Sequence, residues 1–123
     1  MSIGLDHTIV WCRDRAVSAS FIVGILGLEL GEQDEHFLLL RLDNGVTLDF
    51  ATAQDPVTPQ HYAFLVSDDD FDAALTRLRE DGVAYWADPF HHEPHRTNRL
   101  HGGRGVYFAD PDGHNMELLT RTE

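Results

Sequence analysis

Residues 106–119 read VYFADPDGHNMELL. Two runs of apolar, β-branched and aromatic residues flank Asp110-Pro111-Asp112-Gly113, a segment with the composition of a tight reversal. The stretch therefore predicts a hairpin, with strands at 104–109 and 114–120. Side chains alternate along a strand, so Asn115 and Glu117 share one face, opposite Met116 and Leu118. An acid on an inward face is costly to bury without a partner, which makes Glu117 the first candidate for chemistry.

The same layout stands earlier in the chain. Predicted strands at 36–43 and 46–52 are joined by Asn44-Gly45, the strongest short hairpin signal. Asp49 follows Gly45 by four residues, as Glu117 follows Gly113. Upstream of each hairpin lies a strand that carries a histidine. His7 sits in LDHTIVWC (5–12), and His61 opens HYAFLVS (61–67). A helix follows each one. The first, at 14–26, places Val17, Phe21 and Ile25 on one stripe and stops at Gly27. The second opens on Asp68, Asp69 and Asp70, where negative charge suits the helix dipole. It carries Phe71, Ala74, Leu75 and Leu78 on its apolar stripe and stops at Gly82. Short strands near 28–32 and 83–87 complete each copy.

The offset between the two histidines is 54 and that between the two carboxylates is 68. The extra 14 residues lie mostly between Gly82 and Gly113, in a histidine-rich insertion. Residues 52–60, TAQDPVTPQ, read as a linker. The expected fold class is α+β: two paired βαβββ modules form a curved mixed sheet around a metal site, with the helices outside. One domain spans 1–123, with module one at about 1–53, the linker at about 54–60 and module two at about 61–123.

Alternation places His7, Ile9 and Trp11 on one face of the first strand, and sets Thr47, Asp49 and Ala51 opposite Val46, Leu48 and Phe50. The apolar sets belong against the helices. His7, Asp49, His61 and Glu117 are left facing a trough. Imidazole and carboxylate donors suit first-row divalent metals, so one ion of Fe, Mn, Zn or Ni is expected. Two His and one carboxylate with open positions is the non-haem iron arrangement. Adding Asp49 gives a fuller set suited to zinc, nickel or manganese as a Lewis acid. Asp49 is a methylene shorter than Glu, and both alternatives stay open. Glu117 and Asp49 are also the candidate proton carriers, and Tyr107 is a candidate donor to a bound oxyanion. Trp11, Asn115, Arg104 and His101 are expected to line the substrate pocket.

The cluster of His91, His92, His95 and His101 reads as a solvated, partly mobile loop. Arg96, Arg99 and Arg104 in the same segment are expected to attract an anionic substrate. Gly102-Gly103-Arg104-Gly105 lacks the Lys and following helix of a phosphate loop. His114 faces away from Glu117 and reads as structural, and Cys12 faces the helix side.

The composition bounds the function. The chain has 123 residues, 42% hydrophobic and 24% charged, with a net charge of −12. This is a globular composition, and its acidity disfavours nucleic acid and anionic membranes. Cys12 is the sole cysteine, so no internal disulfide forms, and the N-terminal segment has no apolar signal core. The expectation is a cytoplasmic protein acting on a small molecule.

LDHTIV (5–10), GILGLEL (24–30), HYAFLV (61–66) and above all VYFADPDGHNMELL (106–119) resemble the vicinal-oxygen-chelate superfamily, which includes glyoxalases, bleomycin-resistance proteins and extradiol dioxygenases. The resemblance implies that His7, His61 and Glu117 are metal ligands. It puts Asp49 where glyoxalase I has a further Glu ligand. It also implies bidentate chelation of two neighbouring substrate oxygens, and a homodimer, sometimes with modules paired across subunits. The narrow expectation is a glyoxalase-like lyase or isomerase. The alternatives are an extradiol-type dioxygenase, a fosfomycin-type thiol transferase and a metal-free drug-binding resistance protein. HYAF with YFADPDGH resembles the thiol transferases, but those carry a short potassium-binding loop where this chain has its longer His-rich insertion.

Overall fold

The computed structural model describes residues 2–122. Module one contains β1 (His7–Cys12), α1 (Arg15–Leu26), β2 (Phe37–Arg41) and β3 (Thr47–Thr52). Module two contains β4 (His61–Leu65), α2 (Asp68–Glu80), β5 (Tyr85–Trp86), a short 3-10 turn (Leu100–Gly102), β6 (Gly105–Ala109) and β7 (Asn115–Leu119). The strands form two mixed sheets, ordered β1-β3-β2 and β4-β7-β6-β5. The fold class is thus α+β, with two sheets in one chain where a single curved sheet was expected. No helix among the described residues is long and apolar enough to cross a membrane.

The repeat seen in the sequence reappears in the pairing. β1 runs parallel to β3 with His7 beside Thr47 and Ile9 beside Asp49. β4 runs parallel to β7 with His61 beside Asn115 and Ala63 beside Glu117. In both halves the histidine therefore lies one pleat from the carboxylate, on the same face. The opposite faces, with Val10, Leu48, Phe50, Phe64, Met116 and Leu118, join the two helices in one core. The turn glycines Gly45 and Gly113 take φ 89° and φ 82°, a left-handed backbone open to glycine at little cost.

Three elements depart from the sequence reading. Residues 28–32 form no strand. Gly31 donates to the Leu39 carbonyl and Leu39 donates back to Glu32, leaving only an isolated bridge between Gln33 and Leu38. A Cβ on Gly31 would lie 2.6 Å from the Leu39 oxygen, so the segment passes too close to β2 to run on as a regular ladder. In α1 the buried stripe is Ser18, Ala19, Ile22 and Ile25, while Val17 is 53% exposed. The helix is turned so that Ser18 Oγ reaches Asp112 at 2.6 Å. The strand expected at 83–87 shrinks to two residues.

The DPDG turn fastens the modules together. Asp112 accepts from the Arg13 amide at 2.9 Å and from Arg13 Nε at 3.1 Å, besides the Ser18 hydroxyl. The Arg13 guanidinium also donates to the Pro111 carbonyl. His114, fully buried, donates from Nε2 to the Trp11 carbonyl at 2.7 Å and accepts at Nδ1 from the Gln60 amide at 2.9 Å. One imidazole thus ties β1 to the linker, the structural role its position suggested. Asp110 accepts the His114 and Asp112 amides on Oδ1. Its Oδ2 is buried without a partner, and burial raises the carboxyl pKa.

Candidate functional site

His61 and Glu117 are brought together. Nδ1 of His61 lies 2.9 Å from the Asn115 carbonyl oxygen, and Nε2 lies 3.1 Å from Glu117 Oε1. A carbonyl can only accept, so Nδ1 carries the ring proton. In the neutral ring, the Nε2 lone pair then faces a carboxylate oxygen. Two acceptors at that distance require a proton or a cation between them. Donors bound about 2.1 Å from one ion sit roughly 3.0–3.4 Å apart, so the pair fits two adjacent ligands of a first-row metal. A ring N–H held by a carbonyl is also how metal-binding histidines are usually oriented.

Tyr107 completes this half. It pairs with Glu117 across β6 and β7, and its ring packs on His61 with centroids 6.1 Å apart. Burial, with the Glu117 charge and a hydrogen bond to that carboxylate, pushes the Tyr107 phenol up to about 12. It therefore stays protonated near neutrality and acts as a donor.

The other half lies on module one. His7 Nδ1 is 2.7 Å from Asp6 Oδ2, which leaves Nε2 available. The Asp6 hydrogen bond, followed by the charge of Asp49, raises the His7 pKa. Asp49 shares the His7 face through the β1–β3 register. Among the described residues of one chain, no group of three or more His, Cys, Asp or Glu could hold a metal. His61 with Glu117 thus stands on module two, and His7 with Asp49 on module one.

A cleft of about 720 Å³ runs between β1 and β4 along the linker. Trp11, Gln54, Gln60 and His61 line it, together with Ile9 and Tyr62. Asn115 is beside the His61–Glu117 pair, accepting from His61 Nδ1 on its carbonyl and donating from Nδ2 to the Pro89 carbonyl at 3.0 Å. Two expected pocket residues are placed elsewhere. Arg104 turns to α2, where it bonds Asp72 at 2.6 Å and Asp68 at 3.1 Å and lies over the Phe71 ring at 4.6 Å. Three acceptors and an aromatic face on the helix side outcompete the pocket for its guanidinium. His101 is exposed in the 3-10 turn and does not line the cleft. Replacing Arg104 by Ala should lower stability by about 1 kcal/mol, since its partners are exposed. Thermal melting checks this. Ligand binding, measured on the same variant, should change less than twofold.

The histidine-rich insertion is also better held than its composition suggested. His91 stacks on Trp86 with centroids 3.9 Å apart, and His95 meets Tyr85 edge-on at 6.0 Å. Asn98 exchanges backbone hydrogen bonds with Gly105. Sequence reasoning missed Trp86. The alternation of Tyr85 and Trp86 within a predicted strand was the available signal, because Tyr85 is buried toward α2 and Trp86 must then face the site.

The sequence profile of the Glyoxalase/Bleomycin resistance protein/Dioxygenase superfamily matches residues 4–118, and the chain belongs to that superfamily. Among solved structures it is similar to Oxidase ChaP-H2, at 52% identity and TM-score 0.95, covering 99% of this chain and 96% of the other. It is also similar to Oxidase ChaP-H1, at 50% identity and TM-score 0.95, covering 98% of each. Glutathione transferase FosA of Serratia marcescens is 33% identical over 120 residues, 93% of this chain and 78% of FosA. These relatives carry oxidase and transferase names, which fit the alternatives better than the lyase or isomerase expectation.

Proposed function

We propose that the chain is a metal-dependent oxidase of a small molecule bearing two neighbouring oxygens, working as a homodimer. Its centre takes His61 and Glu117 from one copy and His7 from the other. The observation that carries this reading is the His61 Nε2 to Glu117 Oε1 approach of 3.1 Å, two metal-type donors facing each other with the imidazole already oriented. The half-sites lie on the exposed faces of β1 and β4, each at the edge of its sheet. Ile9, Trp11 and Leu65 are exposed on those same faces, an apolar surface that a second copy would cover. The oxidase class is supported by relatives of that name at half identity over nearly the whole chain.

A divalent ion held there would supply Lewis acidity toward two substrate oxygens and, if it were iron, electron exchange with dioxygen. The chain's own residues do the rest. Glu117, or Asp49 from the facing half-site, takes the proton of a substrate hydroxyl. Tyr107, kept protonated, donates a hydrogen bond to Glu117 or to the developing oxyanion. Asn115 fixes His61 through its carbonyl.

Thiol transfer is the second reading, favoured by the FosA likeness. A strongly anionic substrate would need cations in the cleft. All nine basic residues of this chain are arginines, and none of them lines the cleft. Anaerobic loading with iron, manganese or zinc, followed by oxygen-uptake assays on vicinal diols, tests the reading. Uptake with iron alone is expected. Manganese-dependent joining of a thiol to an epoxide, without oxygen uptake, would replace it. Saturating metal should also raise the melting temperature, since a ligand at 100 times its Kd adds about 2.7 kcal/mol. Melting scans with and without a chelator check that.

A further inference from the structure

His91 is held more firmly than a loop residue needs to be. Its φ is 60°, a left-handed backbone that a non-glycine residue rarely keeps unless its surroundings impose it. Its ring lies parallel to the Trp86 indole, at 3.9 Å between centroids and 4° between planes. Its Nε2 is 2.9 Å from Asn115 Oδ1. Because the Asn115 amide nitrogen donates to the Pro89 carbonyl, the amide orientation is fixed, and His91 Nε2 must be the donor.

The pairing registers say where this stack points. Trp86 is the cross-strand partner of Tyr107, and Tyr107 is the partner of Glu117. Cross-strand partners project to the same face. The stack therefore stands beside the metal half-site, anchored on the residue whose carbonyl orients His61. An aromatic pair serving only the core would be buried, yet Trp86 and His91 both keep partial exposure.

We propose that Trp86 and His91 form the substrate-selecting wall of the site, a flat platform that favours fused-ring aromatic diols over aliphatic ones. The inference rests on the reading that this trough takes a vicinal dioxygen compound. It adds that the ring system attached to those oxygens is planar and lies against the stack.

The test uses His91→Gly and Trp86→Leu. Glycine accepts φ 60° freely, so the loop path survives, and the second variant removes the indole from the other side of the pair. Calorimetry would measure a naphthalene ortho-diol and a butane vicinal diol on both metal-free and zinc-loaded protein. Zinc affinity and melting would be followed in parallel. The expected result is an affinity for the naphthalene diol about tenfold weaker in each variant, the scale of one lost aromatic contact. Butane diol and zinc binding should stay within twofold. Wild-type affinity for the naphthalene diol in a folded His91→Gly protein would overturn the proposal, and so would parallel loss of zinc. A wild-type chain that binds no zinc yet still prefers the naphthalene diol would remove the metal reading and leave the wall standing.

Discussion

His7→Ala and Glu117→Gln will each abolish turnover when assayed alone, and a mixture of the two, unfolded and refolded together, will recover about a quarter of wild-type activity. The expectation follows from the proposed centre, which takes His61 and Glu117 from one copy and His7 from the other. In a two-fold dimer each centre uses one copy of each half. A mixed dimer then carries one intact centre and one doubly damaged centre. Random pairing makes about half the dimers mixed, hence about a quarter of all centres whole. Each variant alone should bind metal at least two orders of magnitude more weakly, because loss of even an outer partner costs 10–100-fold. Metal titration of each variant and activity of the mixture are the two measurements. A mixture no more active than its parents would return all the ligands to one chain.

Asp112→Ala is the second large effect, and it acts on the fold rather than the chemistry. The Asp112 side chain is 2% exposed and accepts from the Arg13 amide, Arg13 Nε and the Ser18 hydroxyl. Truncation leaves those donors without their acceptor and separates β1 from the DPDG turn. A loss of about 3 kcal/mol is expected, which for a chain of this size lowers the melting temperature by roughly 10 °C. Burial works against the Asp112 charge, but the Ser18 and Arg13 hydrogen bonds and the Arg13 charge outweigh it, so the pKa is lowered. With a depressed folded pKa, the contribution is complete above the unfolded carboxylate value near 4 and is lost as pH falls through the folded value. Acid titration of stability should therefore show a steeper loss below about pH 4 in the wild type than in the variant.

Most of the fold was legible because it is written twice. Matching histidines, turn glycines and last-strand carboxylates predicted two halves, and alternation assigned the correct faces in β1, β3 and β7. What stayed hidden depends on contacts between distant segments. The rotation of α1 follows from Ser18 meeting Asp112, 94 residues away, which helical periodicity cannot reveal. The sequence places Arg104 near the pocket because it is basic and close by in the chain, whereas the acids of α2 hold it. His91 reads as one of several solvated histidines because neither its left-handed backbone nor its stacking on Trp86 has a signature in composition.

The shared register of β1 with β3 and of β4 with β7 bears on how such a centre can arise. A single half, paired with its own twin, would offer a symmetric cage of two imidazoles and two acids. Asp49 is one carbon shorter than Glu117 at the matching place, so here such a cage would be looser on one side only. An ion bound between two such halves would have both the grip of paired donors and an open position through which a reactant reaches it.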